Sequence, residues 1–275
     1  MSNEFDPCVD EWESFVNNVN HNLIEKCLKL SQILEYPKLD IELSIQKLNN
    51  MGTSLRDLVV KKKNPTYQIS MLNEYLFDTC QFQGDVEDYY NPKNNFMNYV
   101  IDKKIGLPIT LSIIYSEIAK YIDLDVRIVG FPSHVVVKYG EEMIMDPFHG
   151  GKLLSIDDLQ EILYSSYGEA IKFLPEFLNE ISTEQILIRM LRNLKKSYTE
   201  SFSYKMAIRC NKMILAIMPD SSEEIRDLGI IEKQMSHYEK AEELLNKYLE
   251  LEPNAEDVDF ILELIRTVRE KIIHQ

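Results

Sequence analysis

Three things are scarce in this chain, and each scarcity removes a class of function. Cysteine is the first, with four in 275 residues, at positions 8, 27, 80 and 210. They form no Cys-x-x-Cys pair and have no histidine at ligand spacing, which argues against a disulfide framework or a zinc-finger-type site. Four separate reduced thiols remain. Positive charge is the second: 30 Lys and Arg stand against 45 Asp and Glu, a formal net charge of −15. Such an excess repels nucleic acid and anionic lipid. The longest basic run, Lys61-Lys62-Lys63, is flanked by Asn64-Pro65 and reads as a solvated helix end. Long apolar runs are the third scarcity. No stretch approaches the roughly eighteen apolar residues of a membrane span. The acidic start, MSNEFDPCVDEWESF, contains no apolar segment of the signal type. The expectation is a soluble, cytoplasmic protein that binds neither nucleic acid nor membrane.

What is present is ordinary for a folded protein, with 45% hydrophobic residues and 10% aromatics. The length suffices for two domains, or for one core with a repeat appendage. The first ninety residues have helical periodicity. One helix begins within Val9–Val19, and Asn22–Leu34 carries apolar residues at helical spacing until Tyr36-Pro37 stops it. Leu39–Met51 resumes, Gly52 punctuates, and Ser54 can cap a further helix from Leu55. Asn64-Pro65 breaks the pattern before Tyr67–Cys80. Pro108 suits the first turn of a helix to Tyr121 that is apolar nearly all round, hence buried. Short β-branched runs follow at Val126–Gly130, His134–Lys138 and Met143–Met145. A small antiparallel sheet against one buried helix is the economical reading.

Residues 94–151 hold the densest chemistry: a Gly106-Leu107-Pro108 turn opening the helix, then His134 in GFPSH, then Asp146 in MIMDPF. Helix start, His, Asp is the order used by thiol acyl-transfer folds, in which a Cys at the helix start attacks, His activates it and Asp orients the His. Here that start offers Pro108, Ile109 and Thr110, and no Cys.

The phrases NPKNNFMNYVIDKKIGLPITLSIIY, VGFPSHVVVK and MIMDPFHGGKLLS resemble the transglutaminase-like superfamily, and within it the SirB-type branch, whose core precedes tetratricopeptide repeats. The resemblance runs from LSQILEYPKLDIELSIQKLNNM to about Ala255. A thiol-bearing core reads Gly-x-Cys at the helix start, with a second Gly seventeen residues after the first. Laid on Gly106, that frame puts Pro108 at the nucleophile position and Asp123 at the second Gly. His134 and Asp146 take the remaining triad positions, and Lys104 stands where the branch usually carries Arg. The resemblance implies a transglutaminase-like (papain-like) core. The occurrence of related cores in some F-box proteins is consistent with a binding role.

The chemistry of these residues has several readings. A His134–Asp146 pair can act as a general base, activate water, bind an anionic group, or persist as a buried hydrogen-bonded pair fixing the hairpin. Thr110 and Ser112 near the helix start are candidate alcohol nucleophiles, though an alcohol needs strong base activation. Cys80, 28 residues before Pro108, is a further thiol with no recognisable activating surroundings. His149 in DPFHGG is either a surface turn histidine or a member of a His134, Asp146, His149 metal or anion site; three such ligands can hold zinc. The working assignment takes Thr110 and His149 as pocket candidates and assumes no cofactor and no metal.

From Ser182 onward the chain is helical and repeats itself. Tyr204, Ala207 and Pro219 recur as Tyr238, Ala241 and Pro253, each 34 residues later, which is the tetratricopeptide period. Leu228-Gly229 stand thirteen and twelve residues before Ala241; in the first copy Leu194 and Tyr198 fit but Lys195 replaces the Gly. Stacked helix pairs present a surface that receives peptides or helices. Arg189, Arg192, Lys195, Lys196 and Arg209 concentrate positive charge there, either as an ordinary solvated face or as a groove for an acidic segment.

The expected fold is α+β and mostly helical. An N-terminal helical region (1–90) packs on a transglutaminase-like core with a small antiparallel sheet (91–178), and tetratricopeptide-like hairpins follow (182–275). The expected function is a non-catalytic interaction or regulatory role with another protein or peptide, since Pro108 replaces the thiol. The alternative is a hydrolase or acyl transferase using His134 and Asp146 with another nucleophile or water.

Overall fold

A computed structural model describes residues 6–59 and 64–274. The expected basic helix end at Lys61–Lys63 lies outside them. Among the described residues the α-helices run in chain order α1 (Pro7–Val16), α2 (Leu23–Leu34), α3 (Ile41–Val59), α4 (Pro65–Asn73), α5 (Met97–Lys103), α6 (Pro108–Ala119), α7 (Ile156–Tyr167), α8 (Thr183–Glu200), α9 (Tyr204–Leu215), α10 (Ser222–Gln234), α11 (Tyr238–Leu251) and α12 (Val258–Ile273). The strands are β1 (Gln83–Gly84), β2 (Ile105–Gly106), β3 (Val126–Val129), β4 (Val136–Tyr139), β5 (Met143–Asp146) and β6 (Lys152–Leu153). No described helix is long and apolar enough to cross a membrane. The chain divides into two compact units, residues 22–187 and residues 1–21 with 188–275.

In the unit 22–187, β3 to β6 form one antiparallel sheet in sequence order, and β1 and β2 form a separate parallel pair. Every residue of α6 except Glu117 is buried, as expected of a helix apolar on all faces. It packs on β3, β4 and the turn Pro147–His149. A second apolar cluster, including Phe131, Val136, Ile144, Leu159 and Leu163, joins the sheet to α7. Helix starts follow side-chain capping: Asn22, Asn64 and Ser155 each accept a backbone N–H of the first turn.

Two expectations on local structure are corrected. Gly52 does not punctuate, because α3 continues through it to Val59. A Cβ there would lie 2.2 Å from the Tyr121 ring, so the glycine admits an aromatic side chain against the helix. His134 does not begin a strand. It sits in the turn after β3, with Ser133 in the left-handed region (φ 61°) and its own N–H bonded to the Phe131 carbonyl at 3.0 Å. Lys104 (φ 64°), after α5, and Asp123 (φ 59°) are among the other left-handed residues. Asp123 occupies the position that the family frame gives to glycine, a residue suited to that backbone.

In the other unit, α1 groups with the C-terminal helices, whereas the sequence reading placed it in the cap on the core. The indole Nε1 of the fully buried Trp12 donates to the Met213 carbonyl at 3.0 Å, and Asp6 pairs with Arg209 at 3.2 Å. Ala207 and Ala241 are fully buried, and a Cβ on Gly229 would come within 2.9 Å of Leu245. The small residues of the 34-residue pattern thus sit where helices meet. The last helix, α12, closes the array, with Ile261 and Ile265 covering Leu245 and Tyr248.

Candidate functional site

The site is assembled at one end of the sheet. Val137 pairs with Met145, so the turn leading into β4 comes back alongside the end of β5, where Asp146 stands. Asp146 is 1% exposed and accepts three hydrogen bonds. Its Oδ2 lies 2.9 Å from His134 Nε2 and 2.7 Å from His149 Nδ1, and its Oδ1 accepts the Phe148 N–H at 2.9 Å. An ionised carboxylate can only accept, so both imidazoles donate from these nitrogens. Burial opposes the charge on Asp146, but the bonds and charge of His134, then His149, outweigh it and hold its carboxyl below the usual range. The side chain of His134 is nearly buried and that of His149 is exposed. Phe148 sets its ring edge-on to both imidazoles. Gly150 and Gly151 turn the chain away with φ of 69° and 73°.

His134 and Asp146, placed in contact by sequence reasoning, are therefore joined by His149 on the same oxygen. Their donor atoms all lie within 4.8 Å of one another. Thr110 sits elsewhere in the bonding scheme. Its fully buried hydroxyl accepts the Leu107 N–H at 2.9 Å and donates to the Asn94 carbonyl at 3.0 Å, fastening the start of α6. Ser112 Oγ is buried without a hydrogen-bond partner among the described residues. Burial pushes the Cys27 and Cys210 thiols well above their usual value. Cys80 is half-buried and neighbours Tyr75 and Lys104. Lys104, where the branch usually has Arg, holds its ammonium over the Phe82 ring at 4.5 Å. Burial lowers its pKa, against the carboxylate of Asp102 and the thiol of Cys80.

Residues that sequence reasoning passed over complete the surroundings. Asn73 Nδ2 donates to the Gly151 carbonyl at 2.9 Å, while its Oδ1 accepts from Tyr115 at 2.7 Å. A cleft of about 490 Å³ opens beside that turn, lined by Ser70, Asn73, Glu74, Phe77, Asp78, Thr79 and Gly150. Its wall includes a π-helical turn at Glu74–Thr79, a form often found at functional sites. The only advance signal was the Asp146-x-x-His149 spacing before two glycines, since a contact such as Asn73 to Gly151 links residues 78 apart.

The basic residues of the repeat unit are mostly engaged within it. Lys195 is 8% exposed and holds Glu224 and Asp227, each at 2.6 Å. Arg192 pairs with Glu224 at 2.7 Å and Arg209 with Asp6. Arg189 is half-buried. Lys196 is exposed, 3.9 Å from Glu200. Lys195 thus occupies the repeat's usual glycine position as one half of a buried ion pair, and its partner Glu224, only 1% exposed, also accepts from Asn211. In the second copy Glu232 stands at the Tyr198 position, buried and paired with His237 at 2.6 Å and Lys240 at 2.8 Å.

The comparisons with known proteins agree with this architecture. Residues 42–192 match the family model of the transglutaminase-like superfamily, and residues 194–266 match a tetratricopeptide repeat. Repeats of that kind serve protein–protein interaction in general. A UPF0162 protein of Xylella fastidiosa is 31% identical over 233 residues, covering 82% of this chain and 83% of its own. Protein SirB1 of Salmonella typhimurium is 27% identical over 184 residues, 66% of each chain. Human F-box only protein 21 is 26% identical over 167 residues, 55% of this chain and 26% of its own. No solved structure matches. The chain belongs to the transglutaminase-like superfamily, in its SirB-type branch, with a transglutaminase-like domain followed by tetratricopeptide repeats.

Proposed function

We propose that this chain is a non-catalytic interaction or regulatory protein, working in the cytoplasm, whose repeats hold a segment of another protein. The observation that carries the reading is the start of α6. Pro108 stands at the thiol position, and the nearest alcohol, Thr110, spends its hydroxyl on Leu107 and Asn94. Nucleophilic catalysis needs an attacking group beside its base, and this helix start supplies none. No disulfide joins the four cysteines, as suits a reducing compartment. Of the proposed basic face, Lys196 has the most exposed side chain and stands only 3.9 Å from Glu200 at the surface, so it is the member placed to meet an acidic partner segment.

A second reading has one observation in its favour. The 2.9 Å contact of His134 with Asp146 is the geometry of an oriented general base, which could activate water for hydrolysis. Treating the intact protein with activated acyl esters separates the two. The interaction reading expects no thioester on any cysteine and no turnover above that of the His134→Ala variant. His134-dependent labelling of one cysteine, mapped by mass spectrometry, would refute it, as would His134-dependent hydrolysis. For the partner, a photo-crosslinking residue is placed at Lys196 and, as a control, at Asp157 on α7. The proposal expects the same protein to be captured at 196 in repeated lysate experiments and not at 157; capture at 157 alone moves the interaction to the core.

A further inference from the structure

We infer that His134, Asp146 and His149 form a binding site for one divalent ion of the zinc class. This goes beyond the interaction reading and stands whether or not the chain is an enzyme. Two imidazole nitrogens and a carboxylate oxygen are a ligand set of the kind that holds zinc in three-residue sites. Their donor atoms all lie within 4.8 Å of one another. Two of the three separations are 2.9 and 2.7 Å. Ligands around a tetrahedral zinc, with bonds of about 2.0–2.1 Å, are roughly 3.3 Å apart. To bind one ion together, the two imidazoles need to withdraw from Asp146 Oδ2 by about half an ångström, and their nitrogens, within 4.8 Å of each other, to close toward that same separation by side-chain rotation.

The supporting framework is that of a metal site and is already in place. Metal-ligating carboxylates are themselves hydrogen-bonded, which fixes their direction. Here Asp146 Oδ1 is held by the Phe148 N–H, and the Gly151 N–H donates to the Asp146 carbonyl at 2.8 Å. The His134 backbone is tied to Phe131, and the Gly151 carbonyl is tied to Asn73. A buried carboxylate facing two imidazoles also gains from a cation. The ion would replace a carboxylate charge shared between two rings with a directly coordinated one.

Binding balances without any co-reactant. A neutral His134 moves its proton from Nε2 to Nδ1, and a neutral His149 moves its proton from Nδ1 to Nε2. A ring that starts as imidazolium releases one proton to solvent on binding. The exposure of the His149 side chain, 58%, leaves the remaining coordination position open to water or to an anionic group of a partner.

The test uses the full-length, untagged protein after exhaustive chelation, so that no purification tag contributes histidines. Zn²⁺ is titrated in competition with a chromophoric chelator, and Co²⁺ is titrated by its visible absorption. The expected result is one ion per chain and an intense cobalt band of the four-coordinate type. His149→Gln alters a largely exposed side chain and should fold; it is expected to weaken Zn²⁺ by at least the roughly 10–100-fold that loss of a mere supporting hydrogen bond costs. His134→Gln should do the same, with circular dichroism confirming the fold. Failure of the native protein to compete for Zn²⁺ overturns the proposal. So does unchanged affinity in His149→Gln and His134→Gln, because the ion would then be bound elsewhere.

Discussion

At the scale of single residues, two buried carboxylates organise the two units, and each makes a measurable prediction. Asp146 loses a donor when His134 is removed. In metal-free protein, His134→Ala should destabilise by about 1–3 kcal/mol, the cost of leaving a buried acceptor short of a partner. Asp146→Asn should cost somewhat less, since the amide oxygen can still accept from the Phe148 N–H while the NH2 donates to imidazoles that change tautomer. Chemical denaturation of both variants checks this, and a His134→Ala transition superimposing on the native one would contradict it. Glu224 is the stronger case. It is nearly fully buried and faces Lys195 and Arg192. Glu224→Ala leaves the buried Lys195 ammonium with Asp227 alone and should cost roughly 3–5 kcal/mol, the usual result of breaking one side of a buried pair. Charge reversal at Arg192 would also disturb Glu224, so that substitution tests folding as much as partner binding.

Among the secondary-structure elements, α3 shows how a local rule is overridden. Glycine within a helix costs about 1 kcal/mol relative to alanine, so propensity alone recommends Gly52→Ala. The Tyr121 ring occupies the space of the new methyl, and its hydroxyl is tied to Asn49 at 2.6 Å. The ring cannot withdraw without breaking that bond. Gly52→Ala should therefore destabilise by about 1–3 kcal/mol, as overpacking does. The double variant Gly52→Ala with Tyr121→Ala should recover part of the loss in thermal melts, because the obstructing ring is gone. Absence of any such coupling would show that α3 and Tyr121 accommodate the methyl freely.

At the scale of the whole molecule, the repeat array depends on its last member. Each hairpin buries its apolar face on the next, so removing the end uncovers the face before it. Ending the chain after Pro253 removes Ile261 and Ile265 from Leu245 and Tyr248 and leaves Leu244 and Leu249 beside an open surface. The truncated protein should self-associate, read as a concentration-dependent increase of mass in light scattering. A truncated chain that stays monomeric at the same stability would mean that α12 contributes no cover.

Periodicity alone was enough to mark out α2, α6 and the repeat helices, because an apolar pattern of 3.6 residues or a 34-residue recurrence is a local property of the chain. The order Pro108, His134, Asp146 is likewise a property of the chain itself, whereas the 2.9 Å contact of the last two is a property of the fold. Tertiary structure decided the rest. Whether Gly52 ends a helix depends on the Tyr121 ring; whether α1 groups with the core or the repeats depends on the pocket that accepts Trp12. Whether Lys195 is a solvated charge or a buried one depends on Glu224, 29 residues away. The site itself mixes the two. His149 reaches Asp146 across three residues, a local contact, whereas His134 meets the same carboxylate oxygen from twelve residues away, once β4 and β5 have paired. Local sequence states which groups are present and in what order. Only packing brings distant donors and acceptors within 3 Å, and it is that distance which turns a list of polar residues into a site.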